Sequence, residues 1–191
     1  DAEQWQAHIA SGAVKVIPES EVKKIDPERM LPIPARFVRT NKAKDGGSLS
    51  AKSRLVVPGH TAPQEEVRTD APVAPQPCLH LLLYLAASRK WALGSFDVKD
   101  AFLSGKVNSR ELYVRPPREG IKGLPQGVLI QLVKGVFGLK ESPRLWWLQL
   151  RYAVLEAGFQ ELKSAPGTFV VREKSSGTCP GMVCVHVDDG I

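Results

Sequence analysis

Residues 94–105 read GSFDVKDAFLSG and residues 183–189 read VCVHVDD, and both stretches place aspartate at the end of a predicted strand. In each, apolar residues of strand-forming character lead directly into aspartate, at Asp97 in the first and at Asp188 and Asp189 in the second. A carboxylate at the end of a buried strand is costly unless it meets a cation or a hydrogen-bond donor. Three converging carboxylates would repel one another, and bound Mg²⁺ is the usual remedy.

Each of these residues also has an ordinary interpretation. Asp189 followed by glycine is a common turn, Asp97 can cap the turn that follows it, and a single histidine such as His186 is more often structural than a ligand. The combination of a strand ending in Asp97 with a later strand ending in two aspartates favours a divalent-metal site that acts on phosphate groups.

Basic residues are concentrated ahead of the first aspartate. The net charge is +6, but residues 1–30 hold six acids against four bases, whereas residues 31–60 hold six bases against one acid, Asp45. The six bases are Arg36, Arg39, Lys42, Lys44, Lys52 and Arg54. This block favours a polyanionic partner such as nucleic acid, although charge alone is equally consistent with a solvated face.

The composition excludes several classes of protein. Hydrophobic residues make up 43% of the 191 residues, which is enough for a packed core. No apolar run approaches the roughly 18 residues of a transmembrane helix, and the first residues lack a secretory signal. The three cysteines, Cys78, Cys179 and Cys184, fit neither a disulfide framework nor a paired-cysteine zinc site. We therefore expect an intracellular protein, in the cytoplasm or the nucleus, with no membrane partner.

The pattern along the chain predicts a mixture of helices and strands. Helices are predicted at residues 2–10 and 79–90, and from Ser142 as N-cap and Pro143 as first residue to a stop at Gly158. Strands are predicted at residues 14–17, 36–40, 53–57, 92–98, 112–115, 128–134, 168–172 and 182–187.

Three connecting segments complete this prediction. The Asp45-Gly46-Gly47 turn predicts a hairpin that carries the basic block, and residues 175–178 predict a second hairpin loop. The proline-rich segment 58–77 is predicted to be an ordered crossing loop or a hinge. Trp146 and Trp147 fall inside the last predicted helix, which favours packing over base stacking.

Five motifs occur in a recognisable order: AKSRLVVPGH at 51–60, FDVKDAFLSG at 96–105, LYVRPP at 112–117, GVFGLKESPRLW at 135–146 and VHVDD at 185–189. Together they make the chain resemble the reverse transcriptase of copia-type LTR retrotransposon polyproteins, over residues 5–190. The resemblance implies an α+β fold, with reverse-transcriptase-like fingers and palm and a central antiparallel sheet flanked by helices, in which the palm is incomplete after the aspartate pair.

The domain boundaries implied by the resemblance divide the chain into three parts. These are a leader helix and connector at 1–30, a fingers-like basic β-arm with a proline-rich loop at 31–77, and a palm-like catalytic region at 78–191. The return strand, the primer grip and the thumb would lie beyond the aspartate pair. We therefore expect Asp188 and Asp189 on an unpaired strand end, and little or no polymerase activity from the isolated segment.

The resemblance also implies which residues bind metal. Asp97, Asp188 and Asp189 would be the catalytic residues and would hold two Mg²⁺ ions, which Mn²⁺ can replace, with help from the Val98 carbonyl.

The residues implied to bind the nucleotide come from three segments. Arg54 would contact the incoming triphosphate, with help from Lys42 or Lys44, and Lys99, Asp100 and Ala101 would offer backbone N–H groups to the phosphates. Phe102 would stack under the sugar and exclude a ribose 2′-hydroxyl. Apart from the motif, Phe102 could equally be a core residue, and Arg54 could form a weak surface ion pair.

The template and primer side is implied to include Phe137, Gly138, Pro143, His186 and Val187. Two residues depart from the family pattern. His186 replaces an aromatic residue, usually tyrosine. Glu141 replaces a glutamine and would bring a negative charge toward the nucleic acid.

The function implied is RNA-directed DNA polymerisation within a retrotransposon polyprotein, by templated addition of dNTPs through two-metal phosphoryl transfer. The implied partners are an RNA or DNA template with its primer, dNTPs, and the remaining polyprotein domains, namely thumb, RNase H, integrase and protease. Two alternatives stay open: a catalytically dead or domesticated protein that binds nucleic acid without copying it, and a different two-metal nucleotidyltransferase.

Overall fold

The computed structural model describes residues 1–43, 48, 50–62, 67–173 and 177–191. The helices are α1 (Ala2–Ala10), α2 (Glu19–Val22), α3 (Gln76–Arg89) and α4 (Ser142–Glu156), with 3-10 turns at Pro27–Arg29, Gly59–Thr61 and Ala101–Ser104. The strands are β1 (Val14–Ile17), β2 (Arg36–Asn41), β3 (Ala51–Val56), β4 (Phe96–Asp97), β5 (Tyr113–Val114), β6 (Leu129–Leu132), β7 (Gln160–Glu161), β8 (Thr168–Val171), β9 (Gly181–His186) and β10 (Asp189–Gly190).

The chain forms two compact units, each built from two separate segments. Unit 1 consists of Asp1–Thr69 and Phe102–Trp146, and unit 2 consists of Asp70–Ala101 and Trp147–Ile191. The mixture of helices with antiparallel sheets confirms the predicted fold class in its coarse form. The fingers-like and palm-like boundaries stay a prediction.

Unit 1 contains a three-stranded antiparallel sheet in the order β1-β6-β5 and a separate antiparallel pair, β2-β3. Ile130 and Leu132 lie on one face of β6 and are buried in the larger core, whereas Leu129 on the opposite face is buried with Ile17 and Tyr113. Helix α1 packs against β3.

The β2-β3 pair carries the basic block. Its register places Phe37 opposite Leu55 and Val38 opposite Arg54, and the buried Phe37 and Leu55 attach the pair to the core of unit 1. The predicted strands 36–40 and 53–57 are thus confirmed. The predicted turn at Asp45-Gly46-Gly47 and the candidate Lys44 lie outside the described residues.

Unit 2 contains a five-stranded antiparallel sheet in the order β4-β10-β9-β8-β7. Phe169 on β8 is fully buried, and its ring centroid lies 6.0 Å from that of Trp147. Trp147 of unit 2 is 5% exposed, as is Trp146, the last residue of unit 1, which confirms that each packs in the interior. Helix α3 packs against β9.

Helix α4 ends as the sequence predicts. Gly158 has a φ of +90°, and its N–H donates to the Leu155 carbonyl while the Phe159 N–H donates to the Val154 carbonyl. This is the pattern of a glycine that closes a helix in the left-handed conformation.

Two local predictions are wrong. The predicted strand 92–98 is reduced to Phe96–Asp97, because residues 91–95 form no ladder. Ser142 does not cap α4 with its hydroxyl. The Ser142 Oγ instead accepts from the Val136 N–H at 2.8 Å and donates to the Val136 carbonyl at 2.7 Å.

Over the part of the chain that the structure describes, none of the helices combines the length and the apolar character needed to cross a membrane.

Candidate active site

The candidate active site in unit 2 is built on a two-residue hairpin. Strand β9 ends at His186, Val187 and Asp188 form the turn, and β10 returns with Asp189 paired to His186. Val187 has a φ of +58°, which a two-residue hairpin requires but a β-branched side chain rarely adopts. The prediction that the aspartate pair lies on an unpaired strand end is therefore wrong, because Asp189 sits in a ladder between two strands.

Strand β10 also pairs with β4, and this pairing brings two of the predicted catalytic residues together. Asp189 is the direct partner of Asp97, and the Val98 N–H donates to the Asp188 carbonyl at 3.0 Å. Direct cross-strand partners point to the same face of a sheet, and a pair without its own ladder hydrogen bonds has Cα atoms about 4.5 Å apart. Two carboxylates thus face the same side at short range.

His186 extends this row. Because it is the partner of Asp189 on the other side of β10, the side chains of Asp97, Asp189 and His186 leave the same face of the sheet on three adjacent strands. All three residues are exposed. We call these three side chains the carboxylate row.

The opposite face explains why β10 ends in glycine. Gly190 is the partner of Phe96 on one side and Val185 on the other. A Cβ built on Gly190 would lie 2.2 Å from the Phe96 ring, so no larger residue fits while the ring stays in place. The Asp189-Gly190 sequence therefore serves a close approach within a strand, and the turn lies just before it at Val187 and Asp188.

The carboxylates are in contact with solvent. Asp97 and Asp189 are exposed and Asp188 is half-buried, so the predicted desolvation cost at the end of a buried strand does not arise. Within the described ranges, no three His, Cys, Asp or Glu side chains are close enough together to hold a metal ion. The geometry offers two facing carboxylates, and the cluster of three stays a prediction.

A cavity of about 630 Å³ adjoins the carboxylate row in unit 2. Its lining combines Asp97, His186 and Asp189 with mostly apolar or small residues, namely Ala74, Gln76, Leu79, Ser95, Phe96, Cys184, Val185, Gly190 and Ile191. Burial raises the pKa of the Cys184 thiol, and the nearby Cys78 raises it further. Cys184 is therefore a protonated, structural thiol at neutral pH.

The segment after β4 contains the residues predicted to offer N–H groups to phosphates. Lys99 and Asp100 form a turn, Asp100 has a φ of +52°, and Ala101 is buried. Three non-glycine residues have positive φ in the described ranges, and two of them, Asp100 and Val187, lie within three residues of a candidate catalytic aspartate. Such backbone outliers are concentrated at functional sites.

Unit 1 holds the predicted triphosphate and sugar contacts. The Arg54 guanidinium carbon lies 5.3 Å from the centroid of the Phe137 ring, and the Phe102 ring meets Phe137 edge to face with centroids 5.3 Å apart. All three residues are half-buried, so each keeps a surface that a ligand can reach. Lys42 is exposed just beyond β2.

The segment Val136–Ser142, which we call the template loop, is fixed by packing. Gly138 has a φ of +90°, and a Cβ there would lie 2.1 Å from the Val57 carbonyl oxygen. The Ser142 hydroxyl closes the loop onto Val136. Gly138 is exposed and Pro143 is half-buried, which leaves both accessible on the predicted template side.

Glu141 is not where the resemblance placed it. Its side chain is 5% exposed and accepts a 2.7 Å hydrogen bond from the Arg110 guanidinium, which is itself 10% exposed. The expectation that its charge approaches nucleic acid is therefore wrong. Sequence reasoning missed this pair because its members are 31 positions apart and no local pattern connects them.

Comparison with known proteins adds an independent finding. The family model described as reverse transcriptase (RNA-dependent DNA polymerase) matches residues 22–191. The chain is similar to the Retrovirus-related Pol polyprotein from transposon RE2 of Arabidopsis thaliana, with 32% identity over 81% of the chain and 10% of that polyprotein. The corresponding RE1 polyprotein is 31% identical over 85% of the chain and 11% of its own length.

A yeast relative extends this result. The Truncated transposon Ty1-A Gag-Pol polyprotein of Saccharomyces cerevisiae is 30% identical over 88% of the chain and 13% of its own length. The chain thus spans about a tenth of the length of these relatives.

Proposed function

The chain belongs to the reverse transcriptase (RNA-dependent DNA polymerase) family, and on that premise we propose that it adds dNTPs to a primer under the direction of a template. The family match confirms the resemblance drawn from the motifs. The proposed substrates are a primed RNA or DNA template and dNTPs, and the proposed setting is a polyprotein that also carries thumb, RNase H, integrase and protease domains.

The observation that carries the proposal is the pairing of Asp97 with Asp189. Like charges directly opposite each other in a sheet are unfavourable, and a divalent cation between them removes the repulsion. Carboxylate oxygens are the ligands that Mg²⁺ and Mn²⁺ prefer. The two facing, exposed carboxylates fit such an ion, and Asp188 in the adjoining turn and the Val98 carbonyl complete the proposed ligands.

The proposed reaction is an in-line displacement. The primer 3′-oxygen attacks the α-phosphate of the dNTP, the bond from that phosphorus to the bridging oxygen of the leaving group breaks, and pyrophosphate departs. Two bound divalent ions would lower the pKa of the attacking hydroxyl and neutralise the phosphate charge. The aspartates hold their charge in position, because the β4-β10-β9 ladder fixes the backbone of Asp97 and Asp189.

The remaining roles follow the motifs. Arg54 neutralises the triphosphate with Lys42 or Lys44, and the N–H groups of Lys99, Asp100 and Ala101 donate to phosphate oxygens. Phe102 lies under the sugar and excludes a 2′-hydroxyl by steric conflict.

On the template side, Phe137, Gly138 and Pro143 support the template base, and His186 and Val187 support the primer end. Support for these assignments comes from exposure, because Gly138 and His186 are exposed and the other three are half-buried.

Primer extension tests the proposal. A labelled DNA primer on an RNA template is incubated with the four dNTPs, Mg²⁺ and a polyprotein that contains these residues, because little or no extension is expected from the segment alone. Binding of dNTP to the same complex is measured in parallel. We expect Asp97→Asn to abolish extension and to remove the Mg²⁺ dependence of dNTP binding. The control Glu156→Gln, which removes an exposed negative charge elsewhere in unit 2, should change neither. Template–primer binding without any dNTP-dependent extension by the polyprotein that contains these residues would favour the protein that binds nucleic acid without copying it.

A further inference from the structure

We propose that Phe137 is a positioning residue that couples triphosphate binding by Arg54 to sugar selection by Phe102. The inference rests on the function proposed above. It assigns to Phe137 a role on the nucleotide side in addition to the template-side role that the motif implies.

One ring contacts both nucleotide residues. The Arg54 guanidinium carbon lies 5.3 Å from the Phe137 centroid, within the range of a cation–π interaction. The Phe102 ring meets the same ring at 5.3 Å with an interplanar angle of 66°, the favourable edge-to-face arrangement. Any displacement of Phe137 therefore changes the surroundings of both side chains.

The backbone of Phe137 is held against strand β3. Its carbonyl accepts from the Val57 N–H at 2.8 Å, and Phe137 forms a parallel bridge with Val56. The next residue, Gly138, approaches the Val57 carbonyl so closely that only glycine fits. These restraints fix the point from which the ring projects, so the ring can set the position of Arg54 on the same strand.

Arg54 and Arg39 of the β2-β3 pair both lie over a phenylalanine ring, but they differ in their pairing with carboxylates. Arg39 lies 5.7 Å from the Phe37 centroid and is also paired with the carboxylates of Asp1 and Glu119. Among the described residues, no carboxylate is paired with Arg54. The Phe137 ring thus restrains the Arg54 guanidinium while its hydrogen-bonding capacity stays available for phosphate oxygens.

This arrangement predicts a coupled loss. Without the ring, Arg54 samples more rotamers and must be ordered when the triphosphate binds, which weakens binding. Phe102 loses its edge contact in the same variant, so its ring no longer holds the position that rejects a 2′-hydroxyl.

A double-mutant cycle tests the coupling. The dissociation constants of a dNTP and the matching rNTP are measured with Mg²⁺ and a template–primer for the unvaried chain and for Phe137→Leu, Arg54→Ala and the double variant. We expect Phe137→Leu to raise the Kd for the dNTP about threefold to tenfold. The double variant should bind no more weakly than Arg54→Ala alone, because the ring acts through Arg54.

Sugar selection supplies the second readout. Phe137→Leu should lower the ratio of rNTP to dNTP dissociation constants about threefold. Combined with Phe102→Val, it should lower that ratio no further than Phe102→Val does alone. Phe137→Tyr keeps the ring and should restore both affinity and selectivity.

Phe37→Leu is the matched control, because it removes the other phenylalanine that lies under an arginine of the β2-β3 pair. We expect it to lower the melting temperature at least as much as Phe137→Leu and to leave both dissociation constants unchanged.

The outcomes separate the coupling from the proposed function. Additive effects of Phe137→Leu and Arg54→Ala, or an equal loss of affinity in Phe37→Leu, would overturn the coupling and leave the function standing. Failure of the unvaried chain to bind any dNTP would overturn both.

Discussion

The template loop of unit 1 and the β9-β10 hairpin of unit 2 are both short connections, but the protein holds them in different ways. In the template loop, side-chain interactions fix the backbone. Glu141 is buried against Arg110, and the Ser142 hydroxyl forms hydrogen bonds with the backbone of Val136. In the hairpin, the pairing of β10 with β4 fixes the backbone, and the side chain of Asp189 stays exposed.

This difference separates two uses of polar groups. A polar side chain that bonds to groups inside the protein fixes a shape, as Glu141 does through one carboxylate oxygen and Ser142 through its hydroxyl. A charged side chain that is to meet an ion or a substrate must remain accessible, as Asp97 and Asp189 do. Four substitutions test whether the two segments really differ in this way.

The largest effect is expected at Gly138 in the template loop. Gly138→Ala combines the left-handed φ of +90° with a Cβ 2.1 Å from the Val57 carbonyl, and we expect it to lower the free energy of unfolding by about 4 kcal/mol. Gly158 has the same φ with nothing within 4 Å, so Gly158→Ala should cost only about 1–2 kcal/mol. Equal costs in denaturant titrations would show that the loop is not held by close packing.

The next effect is expected at the buried ion pair. Arg110→Met should cost about 3 kcal/mol, because it leaves the Glu141 carboxylate buried without its partner. The double variant Arg110→Met/Glu141→Leu should recover most of that loss. A single variant as stable as the unvaried chain, in the same titrations, would contradict the anchoring role of the pair.

A smaller effect is expected in the hairpin of unit 2. Gly190→Ala brings a Cβ to 2.2 Å from the Phe96 ring, which is a side chain that can move, so we expect a loss of about 1–2 kcal/mol. Gly94→Ala, in the open segment just before β4, should cost less, and Phe96→Leu should reduce the cost of Gly190→Ala. Thermal unfolding of the unvaried chain, the three single variants and the double variant Gly190→Ala/Phe96→Leu measures these effects. Strict additivity of Gly190→Ala and Phe96→Leu would contradict the contact.

The smallest effect is expected at the carboxylate row and has the opposite sign. Without Mg²⁺, Asp97→Asn should raise the free energy of unfolding by a few tenths of a kcal/mol, because it removes a like-charge pair in an exposed setting. Mg²⁺ should stabilise the unvaried chain and Glu156→Gln but not Asp97→Asn. If Mg²⁺ raised the melting temperature of Asp97→Asn as much as that of the unvaried chain, the ion would not bind at the carboxylate row.

Local patterns were sufficient to predict much of the fold. The apolar residues of Val14–Ile17 and the basic strands around Arg36 and Arg54 have strand character in sequence, and Gly158 marks the end of α4. Strand β10 was missed because Asp189-Gly190 has the composition of a turn. Its ladder with β4 depends on a partner about ninety positions away, which no local pattern encodes.

Part of the candidate site could also be predicted from the sequence, and part could not. The motifs identified Asp97 and Asp189, and the register confirms that these two residues are neighbours on one face. The exposure of the carboxylates and the burial of Glu141 could not be predicted, because burial depends on which distant segment covers a residue. The contact of Arg54 with Phe137 was missed for the same reason.

The Arg110–Glu141 pair has a consequence for chimeric proteins. Transplanting residues 136–142 alone into a relative with glutamine at the corresponding position would introduce a buried acid with no base to meet it. Transferring Arg110 together with the segment keeps the exchange electrically neutral. Segment swaps between members of this family should therefore be designed around charge partners as well as motif boundaries.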